Sequence, residues 1–230
     1  MKLLKFFCLY LFIGLPFYLF AQNSKSDTIF ILKEKRNRGF HTIFIDRNIN
    51  SIYYDKINVF NFCTYDKESY ENSLEWFKEN KIAMTKMYVK DIPKKWITLK
   101  QYKGQFYVYK PSDFLFHYQV SINDSTFIDW TGEGPLASKI LSFKKINDKT
   151  FEFKLTGAIH NDRRLVMHLI DQKKGIAVFE DIYDEIDKEY YFMIDATKFK
   201  TVPIIVNYCP SQKEVELEFD EPDYAGLISR

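Results

Sequence analysis

Ile122-Asn123-Asp124-Ser125-Thr126-Phe127 returns twenty-four residues later as Ile146-Asn147-Asp148-Lys149-Thr150-Phe151. Asn-Asp is a turn dipeptide, because both side chains tolerate positive φ and hydrogen-bond their own backbone. Each copy is flanked by runs rich in aromatic and β-branched residues, the pattern of a tight hairpin. Two such turns in register describe an antiparallel meander with strands of roughly 6–9 residues. The stretch from Tyr102 to Leu155 therefore decides the fold class, which is all-β.

Working upstream, Gly104 opens the strand Gln105–Tyr109, and Pro111-Ser112-Asp113 turns the chain into Phe114–Val120. On that second run Phe114, Phe116, Tyr118 and Val120 share one face, with Leu115, His117 and Gln119 opposite. Between the two Asn-Asp turns, Thr131-Gly132-Glu133-Gly134-Pro135 reads as a loop. Downstream, strands are expected at Arg164–Asp171, Ile176–Asp181, Tyr190–Asp195, Val202–Tyr208 and Glu214–Phe219, the last alternating strictly between apolar residues and glutamates. A loose tail follows Pro222.

Towards the N-terminus, Thr28–Glu34 and Phe40–Asp46 form a hairpin across a charged loop ending in Gly39, and Ser51–Phe60 is a further expected strand. Lys67–Lys81 is the one expected helix. Tyr70, Leu74 and Phe77 recur there at helical spacing, and acids near its start with lysines near its end match the dipole. Thr64 or Asp66 is the candidate cap. Its narrow aromatic stripe suits packing on a sheet.

Residues 1–21 stand apart. Lys2 and Lys5 precede the uncharged run Phe6–Phe20, and Ala21 supplies a small residue before a polar stretch, as in a secretory signal peptide. The apolar run is short for a bilayer span of ~20 residues. The expected product is a single domain over residues 22–230, secreted or periplasmic, with no stable membrane span. Lys2 and Lys5 leave with the leader, so 31 of the 33 basic residues then face 31 acids. Neutrality argues against a nucleic-acid partner. With Cys8 also gone, Cys63 and Cys209 are a candidate disulfide in an oxidising compartment, or two separate thiols, since spacing fixes no distance.

Charge is nonetheless polarised. Residues 81–110 hold eight lysines against Asp91 alone, whereas residues 180–223 hold 13 acids and 4 bases. The first expectation is that folding pairs the two regions; the alternative is that the basic one forms a patch for anionic lipid or polysaccharide. The acidic run at 180–189 lacks the order of a calcium loop. Nothing in the chain spells a catalytic or metal centre. His41, His117, His160 and His168 are scattered without ligand spacing, and there is no nucleophile elbow or glycine-rich phosphate loop. No cofactor is implied, and an enzyme ranks third among the readings because no catalytic constellation can be named.

The architecture expected is an antiparallel, mostly up-and-down meander that closes as a barrel, since closure removes exposed edges. A two-sheet sandwich is the alternative. In a coarse way the arrangement is similar to the lipocalin-like barrels over residues 102–219. Their Gly-x-Trp signature is missing, because Gly104-Gln105-Phe106 carries Phe in place of Trp. In such a barrel Phe106, Val108, Phe114, Phe116 and Tyr118 are the candidate lining for a small apolar or amphipathic ligand, or a lipid. The competing expectation is a structural or interaction component of the cell envelope with no pocket.

Overall fold

The computed structural model describes residues 27–183 and 187–229. The leader expected at 1–21 lies outside them. Among the described residues the chain forms twelve strands: β1 (Thr28–Arg36), β2 (Gly39–Asp46), β3 (Lys95–Tyr102), β4 (Gln105–Lys110), β5 (Gln119–Ile122) and β6 (Thr126–Thr131), then β7 (Gly134–Lys145), β8 (Thr150–Thr156), β9 (Arg163–Asp171), β10 (Ile176–Tyr183), β11 (Asp187–Asp195) and β12 (Ile204–Tyr208). Strands β5 to β11 run up and down in sequence order. Strand β3 pairs with β11 on one side and with β5 on the other, closing an antiparallel barrel of eight strands. The fold is thus all-β with a lipocalin-like barrel.

Both Asn-Asp repeats are hairpin turns, joining β5 to β6 and β7 to β8. The side chain of Asn123 accepts from the amides of Ser125 and Thr126 at 2.8 and 2.7 Å, and that of Asn147 accepts from Lys149 at 2.8 Å. These local bonds fix the register, and the register fixes which face turns inward. Phe127, Phe151, Phe153, Leu155, Leu165, Met167, Phe179 and Met193 fill one half of the interior, with Trp96 against Phe179. Val89 and Ile92, from the lysine-rich segment before β3, close that end.

Strand β3 is shared. Residues Lys95–Ile97 pair with β5, while Leu99–Tyr102 pair with β4, so the sheet forks at Thr98, whose hydroxyl donates to the Tyr118 carbonyl at 2.7 Å. From the fork β4, β12, β2 and β1 continue as a wing outside the barrel, with β12 parallel to β4. One face of the wing forms a second core with the outer barrel face: Val108, Ile204, Val206 and Phe44 meet Ile97, Leu99, Phe192 and Ile194. The other face carries Tyr107, Tyr109 and Ile205, covered by Leu217 and Phe219.

Several expectations are corrected. Ser51–Phe60 is not a strand. Ser51 caps the short helix α1 (Ile52–Asp55) by accepting from the Tyr53 amide at 3.3 Å, and Tyr54 and Ile57, three apart, turn into the second core. Phe114–Val120 is also broken. Asp113 accepts from the Leu115 amide at 3.0 Å and starts a 3-10 turn over Phe114–Phe116, so β5 begins only at Gln119. Glu214–Phe219 is extended but joins no ladder. It is held by side chains, with Glu216 accepting from Tyr109, Asn207 and the Asp113 amide. The tail is not loose: helix α3 (Tyr224–Ile228) docks Tyr224 on Tyr190 and Phe192 at 5.4 and 5.0 Å between ring centroids.

The helix expected at 67–81 is α2 (Thr64–Glu79), and its cap is Cys63, whose Sγ accepts from Asp66 N while Asp66 accepts from Cys63 N at 3.1 Å. Phe77 is buried and Tyr70 and Leu74 are half-buried, as a sheet-packing stripe requires. Cys63 and Cys209 are free thiols. The polarised charges do not pair as expected. Among the described residues no lysine of 81–110 forms an ion pair with an acid of 180–223. Asp220 instead accepts from the backbone amides of Lys103 and Gly104 at 3.1 and 2.7 Å. No helix among the described residues is long and apolar enough to cross a membrane.

Candidate functional site

The half of the barrel interior opposite Trp96 is neither filled nor wholly apolar. Its inward positions continue the same alternation but carry charge: Asp129 two residues after Phe127, Asp181 two after Phe179, and Arg163 two before Leu165. Arg163 bridges the two acids. Its Nε and Nη2 donate to Asp181 at 2.8 and 2.5 Å, and its Nη1 and Nη2 donate to Asp129 at 2.6 and 3.1 Å. Three tyrosines complete the cluster. Tyr118 donates to Asp129 at 2.6 Å, and Tyr191 and Tyr183 donate to Asp181 at 2.6 and 2.9 Å. The guanidinium also lies over the rings of Phe127 and Tyr183, 5.2 and 5.7 Å from their centroids.

Burial is nearly complete, with side-chain exposures of 4% for Arg163 and 0% for Asp181. Burial alone lowers the Arg163 pKa, but the Asp129 and Asp181 carboxylates reverse this and hold it well above its usual value. Desolvation, reinforced by the neighbouring carboxylate charge, raises the Tyr118 and Tyr191 hydroxyls well above theirs, so both stay protonated. Two carboxylates and one guanidinium leave the cluster with a net charge of −1. Charges buried this deeply persist only when their lone pairs and protons are matched, and this cluster matches most of them.

Above the cluster lies a cavity of about 480 Å³ open at the barrel mouth. The cluster is its floor. Apolar wall comes from Leu136 and Ala137 at the start of β7, Ala158 and Ile159 in the β8–β9 loop, and Phe116 on the 3-10 turn. Polar rim comes from Lys100, His160, Glu189 and Ser73 of α2. Helix α2 is tied to this rim, because Ser73 Oγ accepts from the Ala137 amide at 3.2 Å. The 3-10 turn is tied to the β6–β7 hairpin by contact: a Cβ at Gly132 would run into the Phe114 carbonyl. The ring of His160 packs on Tyr183 at 4.0 Å.

Of the residues expected to line a ligand site, the structure brings two to this cavity. Tyr118 belongs to the floor, and Phe116, 64% exposed, stands at the rim. Phe106 and Val108 lie on β4, outside the barrel, where Phe106 meets Phe192 edge-on at 4.8 Å and Val108 is fully buried in the second core. Phe114 points into a separate cleft of about 360 Å³ with Lys56, Lys110, His117 and Trp130, and Lys213 Nζ sits 4.3 Å from its ring centroid. Burial, and then the charge of Lys110, lowers the His117 pKa.

Arg163, Asp129, Asp181, Tyr183 and Tyr191 were not expected. Their signal is a charged residue ending an inward apolar alternation on three strands. It is obscured because Asp181, the last residue of an expected strand, also belongs to the acidic run at 180–189, and Arg163 falls one residue before an expected strand. Compared with known protein families, curated proteins and solved structures, the chain matches none.

Proposed function

We propose that the barrel is a binding protein for a small amphipathic ligand held in the mouth cavity. The observation that carries this reading is the pairing of an apolar wall with a preorganised polar floor at one end of a closed barrel. A cavity of 480 Å³ is within the usual range for small-molecule sites, and few, fixed polar groups among apolar ones are what orient a guest. A barrel built only for stability gains nothing from ending its core in a buried charge cluster, since apolar residues of similar volume do as well or better. The exposed Phe116, 64% accessible, gives the entrance an apolar lip.

The leader read at residues 1–21 supports a secreted or periplasmic site of action. Native mass spectrometry of the exported protein tests both parts. The expected spectrum shows a chain beginning near Gln22 together with a complex carrying one small molecule, released on denaturation. A chain retaining Met1–Phe20 contradicts export with cleavage. Apo protein alone, even after incubation with membrane extract, contradicts the binding reading.

A further inference from the structure

The hydrogen-bond accounting of the floor specifies the kind of head group it takes. The hydroxyl oxygens of Tyr118 and Tyr191 lie 3.3 Å apart, yet each hydroxyl has its proton directed at a carboxylate, Asp129 and Asp181 respectively. With both protons so directed the carboxylates are matched: Asp129 Oδ1 takes Tyr118 and Arg163 Nη2, and Asp181 Oδ2 takes Tyr191, Tyr183 and Arg163 Nη2. In that arrangement the pair presents acceptor lone pairs to the cavity. Asp129 adds another acceptor. Its Oδ2 receives a single bond, from Arg163 Nη1, and the residue lines the cavity. Four N–H bonds of Arg163 are committed to the two acids, which leaves it one donor of five.

The electrostatics agree with this count. The floor carries one excess negative charge, while at the rim Lys100 and Glu189 cancel. An anionic head would meet the Asp129 carboxylate in a desolvated site with Asp181 just beneath it, whereas a cation neutralises the excess and supplies the missing protons. We propose that the cavity selects ligands with a protonated amine on an apolar body, the ammonium lodged against Asp129, Tyr118 and Tyr191. This rests on the reading of the mouth cavity as a binding site and narrows it to a ligand class.

Three probes with one tail and different heads separate the two claims: decylammonium, decanol and decanoate, titrated calorimetrically at neutral pH. The ammonium is expected to bind about tenfold or more tightly than the alcohol, as a charge-assisted hydrogen bond implies, with the carboxylate weakest. Asp129→Asn, which removes the excess charge, should collapse the ratio of ammonium to alcohol affinity to near one. Should that variant fail to fold by circular dichroism, Tyr118→Phe removes one acceptor and should narrow the ammonium's margin over the alcohol by severalfold. Equal affinity for ammonium and alcohol, or preference for the carboxylate, overturns the amine selectivity while binding itself stands. Absence of binding by all three overturns the cavity reading and the inference with it.

Discussion

Two arginines separated by no residue at all show how far environment decides what a side chain contributes. Arg163 is 4% exposed and holds two buried carboxylates, whereas Arg164 is 46% exposed and meets Glu152 at 3.2 Å. Removing one partner of a buried charge network costs about 3–5 kcal/mol, because the charges left behind stay desolvated. An exposed pair contributes at most about 1 kcal/mol. Arg163→Met is therefore expected to lower the urea midpoint severely or prevent folding, and Arg164→Met to change it little. Equal effects would contradict the buried network. At the wing, hydrogen bonding from Arg36 Nε, at 2.9 Å, lowers the Glu214 pKa from 4.5 to about 2. A carboxylate depressed on folding stabilises fully above its unfolded value and ceases to as pH falls through the folded one. The Glu214–Arg36 contribution is thus complete above pH 4.5 and gone below about pH 2. Glu214→Gln should flatten the acid limb of a stability–pH profile in that window, and an unaltered limb would show that the pair is not formed.

At the scale of elements, what could be read from the sequence was what local chemistry fixes. Asn123 and Asn147 make their turns with bonds spanning two or three residues, so both hairpins were legible. The runs Ser51–Phe60 and Phe114–Val120 were not, because aromatic density is the same in a strand and in a helical turn that buries rings. The deciding groups there are single caps, Ser51 and Asp113. Glu214–Phe219 shows a different limit. Alternation reports an extended chain, and it was read as a strand, yet Val215 is 84% exposed while the neighbouring Glu214 is almost covered. No ladder joins this segment, and only its partners in space show that. Helix α3 offers a test of the docked tail. It half-buries Tyr224, Leu227 and Ile228 against the second core, which at ordinary transfer values is worth about 2–4 kcal/mol. A chain ended at Pro222 should lose a comparable amount in chemical denaturation. An unchanged midpoint would mean that the helix does not hold.

At the scale of the molecule, the barrel is asymmetric along its axis, solid at the Trp96 end and open over Arg163. The barrel class was legible from sequential hairpins and the need to cover edges. The fork at Thr98 was not, since it depends on one strand pairing with two others along one edge. For the same reason Phe106 and Val108 were assigned to an interior that β4 does not reach. The site itself is non-local: Arg163 reaches Asp129 and Asp181 across sequence separations of 34 and 18 residues, and only closure brings them together. This asymmetry is what a binding barrel needs, a rigid base and a mouth whose chemistry is set in advance.

The direct test of that account is to close the mouth without touching the floor. Ala158 is exposed, lies in the β8–β9 loop, and lines the cavity, so Ala158→Trp adds bulk there at little cost to the core. Dansylcadaverine, an apolar fluorophore carrying a primary ammonium, reports entry by its emission. Saturable one-to-one binding to the native protein, lost in Ala158→Trp with the denaturation midpoint unchanged, is the result expected. Binding that survives the substitution, or none to either protein, would contradict a ligand site at the barrel mouth.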